Sequence, residues 1–381
     1  APNPRDVWCR NFGLLTPADL FTSRQLVALT TFSSLVNEAH DLIKASAIES
    51  ELVQPQGGLK SLDPDTYTKA VMTYLAFAVS KATDRNTSLC VWESKMDRLR
   101  GTFGRQALPM AWDFAETNPF AGAGGDFYGT AHSLCEVLDK MTTSVTAGFA
   151  SQANSQMQTA STGKVVSTDP PYYDNISYAD LSDFFYVWLR RSLKSVFPGL
   201  FATLAVPKAE ELVATPYRHG SKEKAEAFFL NGMTLAMQRI TEQSHPSFPV
   251  TIYYAFKQSE TRLNVGTVST GWETFLEAVI RAGFSLHGTW PIRTEMPGRA
   301  LERSGTNALA SSVVLVCQRR LESALTLSRT DFRRQLRQVL PQALKELERA
   351  NIAPVDVAQA AIGPGMAIFS TAKAVLNPDD S

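Results

Sequence analysis

The sequence predicts an α/β protein. A mostly helical stretch covers residues 1 to about 160, and half of a doubly wound, Rossmann-like sheet follows over 161–320. Three observations predict this. Apolar residues recur at helical spacing through the first third. From about Gly163, short β-branched and aromatic runs alternate with helical patterns. The turn Asp169-Pro170-Pro171-Tyr172 stands directly after the first of those runs. Doubly wound sheets place their ligands there, at the carboxyl ends of strands.

Taken in order, Pro17 and Ser23 are helix-start signals, followed by a stripe of Leu26, Leu29, Phe32, Leu35, Val36, Ala39 and Leu42. Gln56-Gly57-Gly58 breaks the pattern and Asp63-Pro64 opens a second helix, with Tyr67, Ala70, Val71, Tyr74, Leu75 and Ala78 on one face. A glycine-rich loop spans Asn118 to Gly125, and a helix is expected from about Thr130 to Thr143. Strands are expected at Lys164–Thr168, Pro249–Phe256, Ser285–Thr294 and Ser311–Gln318. Helices are expected at Leu181–Val196, Lys222–Thr241 and Trp272–Ala282, the last closed by Gly283. A charged helical tail occupies 321–381, strongest from Asp331 to Asn351.

Composition bounds the function. Hydrophobic residues make up 44% and charged residues 19% of the 381, an ordinary globular balance. Lys+Arg equals Asp+Glu at 37 each, so a DNA-binding face must be local. Cys9, Cys90, Cys135 and Cys317 form no CxxC pair, and the histidines (His40, His132, His219, His245, His287) show no ligand spacing. Neither a metal site nor a disulfide framework is expected, and a reducing cytoplasm fits. No signal peptide or membrane-length apolar run is recognised. The chain opens on Ala1 and closes on Asn377-Pro378-Asp379-Asp380-Ser381, and it is expected to be a segment of a longer protein.

The Asp-Pro-Pro-Tyr turn carries chemistry. The lone pair of an exocyclic base amine is delocalised into the ring, so methylating it requires two acceptors that draw the nitrogen towards tetrahedral geometry. Asp169 supplies a carboxylate and Pro170 a carbonyl. Two adjacent prolines fix φ and hold both acceptors in place beforehand. A base taken out of the duplex is held by stacking, for which Tyr172 supplies a ring, with Tyr173 beside it. Cytosine N4, an RNA base and a protein glutamine share the same planar nitrogen, so the motif alone leaves the acceptor open. A non-enzymatic DNA-binding subunit is a further alternative.

Residues 163–191, Gly-Lys-Val-Val-Ser-Thr-Asp-Pro-Pro-Tyr-Tyr-Asp-Asn-Ile-Ser-Tyr-Ala-Asp-Leu-Ser-Asp-Phe-Phe-Tyr-Val-Trp-Leu-Arg-Arg, resemble the adenine-specific DNA methylases of bacterial and archaeal anti-phage defence. So do Phe21 to Phe32 and Gly104 to Glu116. The resemblance implies the C-terminal half of a class I S-adenosylmethionine-dependent methyltransferase fold. It implies S-adenosyl-L-methionine as methyl donor, a flipped adenine in double-stranded DNA as acceptor, and defence-system partner proteins. Ser167 departs from the family pattern, where an apolar residue is usual. The resemblance also implies that the donor site lies largely upstream, so that the chain alone binds the donor weakly, if at all. The region 1–160 would then be an insertion placed for target recognition.

Phe120-Ala121-Gly122-Ala123-Gly124 copies the glycine pattern of a donor loop, with Phe120, Gly122 and Gly124 as its candidates. It stands too close to Asp169 for the intervening strand–helix units, at about 30 residues each, and is expected to be structural. Arg105, Arg190 and Arg191, with Tyr173, are candidates for DNA contact, as are Lys95, Arg98, Arg100 and Lys194. Arg333, Arg334 and Arg337 read as a solvated face. Phe184, Phe185, Trp188 and Leu189 read as core, and Ser304 to Asn307 as a hairpin connection.

Overall fold

The computed structural model describes residues 6–49, 63–122, 124–141, 148–254, 270–293, 311–349 and 362–377. The expected break at Gln56–Gly58, the hairpin connection Ser304–Asn307, and Ala123, Ala255, Phe256 and Thr294 lie outside them. The protein is mixed α/β and divides into two compact units, each discontinuous in sequence. The first comprises 1–149 and 177–211, and the second 150–176 and 212–381. The segment 150–176, with the Asp-Pro-Pro-Tyr turn, therefore belongs to one unit and the helix after it to the other. Residues 321–349 and 362–377 of the charged tail fall in the second unit.

In the first unit, α1 (Ser23–Glu49), α2 (Pro64–Thr83), α3 (Phe127–Lys140) and α4 (Tyr178–Leu193) pack around α2. Helix α2 starts where expected: Pro64 takes the first position and the Asp63 carboxylate accepts from the Thr66 amide at 3.0 Å. A two-stranded ribbon, β1 (Trp92–Glu93) with β2 (Arg98–Leu99), flanks the helices. Val36, Met72, Ala76, Val79, Leu193 and Phe201 form one core cluster. Phe184 and Trp188 are buried as expected and close on Phe21.

The second unit holds a four-stranded sheet of β3 (Ser167–Thr168), β4 (Val250–Tyr254), β6 (Ser311–Arg319) and β5 (Phe284–Arg293), in that spatial order. Strands β3 and β4 are parallel, and β6 runs antiparallel to both β4 and β5. The final antiparallel pair thus folds back so that its last strand sits inside the sheet, with β3 at one edge and β5 at the other. Burial alternates along β4: Val250, Ile252 and Tyr254 face the core, where α6 (Lys222–Gln243), which follows the single turn α5 (Pro216–His219), packs with α7 (Thr270–Arg281). Gly283 closes α7 as expected, at φ +86°, a conformation that favours glycine.

Two tail helices, α8 (Arg329–Arg349) and α9 (Ile362–Thr371), pack on each other, and α9 lies on β5. A small ribbon, β7 (Leu327–Ser328) with β8 (Val375–Leu376), joins their ends. The register of β5 slips between Leu286 and Gly288, and there the buried Ser370 hydroxyl accepts from the Leu286 amide at 2.7 Å.

Candidate active site

The motif begins where β3 ends. Thr251, in β4, donates its amide to Val166 O at 3.1 Å and its hydroxyl to Ser167 Oγ at 3.1 Å. Ser167 lies on an exposed side of the strand and finds a polar partner across the pair. The chain turns over Pro170, which is buried, and leaves Asp169 exposed.

Tyr172 is half-buried, and its hydroxyl donates to Asp169 Oδ1 at 2.7 Å. Its ring stands edge to face against Tyr254, at the end of β4, with centroids 5.3 Å apart and planes at 71°. Tyr254 in turn stacks on Phe275 of α7 at 3.9 Å. The Tyr172 carbonyl accepts from the Asn175 amide at 2.8 Å and the Pro171 carbonyl from the Tyr173 amide at 3.1 Å. Among the described residues no donor reaches the Pro170 carbonyl, and none but Tyr172 reaches Asp169. Two acceptors thus stand at the carboxyl end of a strand, the Asp169 side chain among them exposed.

Tyr173 has a different role from the expected one. It is 9% exposed, with its ring against Phe229 of α6 at 5.2 Å, and it belongs to the core rather than to a surface a nucleic acid can reach. Its hydroxyl donates to Glu226 Oε1 at 2.9 Å, and its carbonyl accepts from the Ala214 amide at 3.0 Å. Its backbone is left-handed at φ +46°, an uncommon conformation for a residue with a side chain. That reversal lets consecutive tyrosines part company, one towards Asp169 and one into the core. A Cβ on Gly271 would stand 2.9 Å from the Tyr173 ring, so glycine is what lets the start of α7 lie against it.

Glu226, Tyr254, Gly271 and Ala214 were not anticipated. Each sits in an ordinary local pattern, and its partner lies far along the chain.

The remaining candidates fall in the first unit. Arg190 Nε donates to Thr203 O at 2.8 Å and Arg191 Nη2 to Ser34 Oγ at 2.9 Å. Arg98 pairs with Glu93 at 3.0 Å. Arg105 is exposed, with its guanidinium 6.0 Å from the Trp8 ring centroid.

The loop holding Phe120, Gly122 and Gly124 precedes α3 and follows no strand. Asp126 caps α3 through the Gly129 amide at 2.7 Å, and its second oxygen takes the Gly122 amide at 2.9 Å. The Phe120 amide donates to Asn118 Oδ1 at 3.0 Å. Two of the loop's amides, those of Phe120 and Gly122, are thus directed at its own side chains.

Among the described residues no cluster of three His, Cys, Asp or Glu is arranged for a metal ion, and no helix is long and apolar enough to cross a membrane. Burial pushes the Cys317 thiol up to about 12, which leaves it an inert core residue. Comparison of the chain with models of known protein families, with curated proteins and with solved structures found no match.

Proposed function

We propose that this chain carries the amine-holding half of a class I methyltransferase that modifies adenine N6 in DNA, as part of phage defence or restriction–modification. One observation supports it above the others. Asp169 and the Pro170 carbonyl are acceptors on a proline-stiffened turn at the carboxyl end of a strand, and the Tyr172 hydroxyl rests on Asp169. Such a pair takes the two N–H protons of an exocyclic amine and concentrates electron density on its nitrogen. The Tyr172 hydroxyl now occupies Asp169 Oδ1. An incoming amine would displace it, and the freed ring would then offer its face to the base.

The sheet supports the same reading: the motif strand at one edge and a reversed strand within the final pair suit the C-terminal half of a doubly wound sheet. S-adenosyl-L-methionine is the methyl donor by resemblance, held by a region that adjoins these strands; the chain's own part is to hold and orient the amine. The test is product analysis. The protein with its donor region is incubated with S-adenosyl-L-methionine and adenine-containing duplex, and nucleosides are separated after digestion. N6-methyladenine, absent with Asp169→Ala, supports the reading. N4-methylcytosine, methylated RNA or methylated glutamine as the sole product overturns the acceptor.

A further inference from the structure

A surface of the first unit, unused by that reading, brings aromatic rings together with uncompensated cations. Asp6 to Trp8 runs parallel to Leu108: the Trp8 amide donates to Leu108 O at 2.9 Å and the Leu108 amide to Asp6 O at 2.7 Å. The short 3-10 helix Trp8–Phe12 continues alongside. Phe12 and Trp112 then meet edge to face, 5.3 Å between centroids. Trp112 is 80% exposed, and Trp8 and Phe12 are each 47% exposed. Aromatic side chains gathered in water contribute little to a fold and mark a binding surface.

The charges beside them narrow the partner. Arg105 lies over Trp8, Arg100 donates to the carbonyl of the adjacent Gly104, and Arg10 projects from the 3-10 helix. Among the described residues none of these three pairs with a carboxylate, whereas Arg24, Arg98, Arg239 and Arg281 all do. Ring faces alongside unpaired guanidiniums suit a strand whose bases are unstacked and whose backbone is anionic.

We propose that Trp8, Phe12 and Trp112, with Arg10, Arg100 and Arg105, form a stacking platform for single-stranded DNA. The choice of DNA over RNA rests on the methylation reading; the platform's chemistry does not. The probe is a short fluorescein-labelled oligodeoxynucleotide titrated with the chain, read by anisotropy and by tryptophan quenching. Trp112→Ala should weaken binding about 5- to 150-fold, as loss of one base–aromatic stack does, while Trp112→Phe keeps most of it.

Arg105→Ala should lower the slope of affinity against salt by roughly one ion. Trp290→Ala removes a tryptophan on β5 that is 66% exposed, and it should change nothing. The titration is run without methyl donor and reads binding alone, so a failure of the methylation reading leaves this result standing. Because Trp112 is so exposed, its removal should not move the thermal midpoint.

Absent binding, wild-type binding by Trp112→Ala, or equal loss in Trp290→Ala overturns the platform. Tighter binding of the matching RNA overturns the DNA assignment. Self-association that Trp112→Ala abolishes, without oligonucleotide binding, assigns the patch to a second copy of the chain instead.

Discussion

The two ends of the four-stranded sheet treat their polar groups in opposite ways. At the carboxyl ends of β3 and β4, Asp169 faces water with one internal partner, and the Pro170 carbonyl has none among the described residues. At the far end, where β6 finishes and β5 begins, there is a cavity of about 350 Å³ lined by Glu242, Arg319, Arg320 and Glu322, among others. A hollow of that size would draw notice as a candidate site. Its charges, however, serve the protein. Arg320 Nη2 donates to Ile280 O at 2.8 Å and Phe284 O at 3.1 Å, tying the end of α7 to the start of β5, and Arg319 pairs with Glu322 at 3.8 Å. A hollow marks where elements splay apart, whereas an acceptor without a partner on a stiff turn is what the proposed amine-holding role calls for.

Substitutions at the two ends should have opposite consequences. Asp169→Ala should lower the methylation rate on the order of 100- to 1,000-fold, the usual loss for one preorganised electrostatic contact, with the urea midpoint unchanged. Near-normal turnover in a folded Asp169→Ala protein would end the contrast. Arg320→Met keeps the aliphatic stem and removes both bonds to carbonyls, so unfolding free energy should fall by about 2 kcal/mol with turnover preserved. A loss of rate without a loss of stability would make the cavity end functional after all.

Tyr172 sharpens the contrast within the motif. Tyr172→Phe should keep most activity, since the ring remains and Asp169 is released, whereas Tyr172→Ala should weaken the flipped base by roughly 1–3 kcal/mol. Equal damage from both would mean that the hydroxyl, not the ring, is what matters. The smallest effect is expected on β5: Ser370→Ala strands the Leu286 amide and should cost about 1 kcal/mol in a thermal or urea titration.

How far the sequence foretold this structure depends on how local each signal is. The Asp63 cap, the Gly283 stop and the four strands were legible because each is written in a few consecutive residues. The phase of α1 was not. Leu35 and Leu42, placed on its inner stripe, are 46% and 74% exposed, while Gln25 and Ser33 are buried. Helix α1 meets both α2 and α4, and at such crossings a small side chain allows closer approach than leucine does. The Ser33 hydroxyl satisfies itself on Leu29 O at 2.8 Å. Helix α9 lies within the expected helical tail although it runs through Gly363-Pro364-Gly365, and Gly363 is where the helix meets Thr289 of β5. In the site, Asp169 to Tyr172 could be read off directly, while the burial of Tyr173 rests on Phe229, Glu226 and Gly271, which no local pattern connects to it.

The path of the chain has a consequence for how such a protein can be inherited in pieces. The motif strand lies in 150–176, and the rest of its sheet starts only after the chain has gone back to the helical unit for 177–211. A single recombination event anywhere in 177–211 would pass on the motif strand with most of the helices, or the scaffold of the sheet, but not the two together. Shuffling by single crossovers therefore separates Asp169 from Tyr254, and a lineage that keeps both has to inherit the helical stretch between them as well.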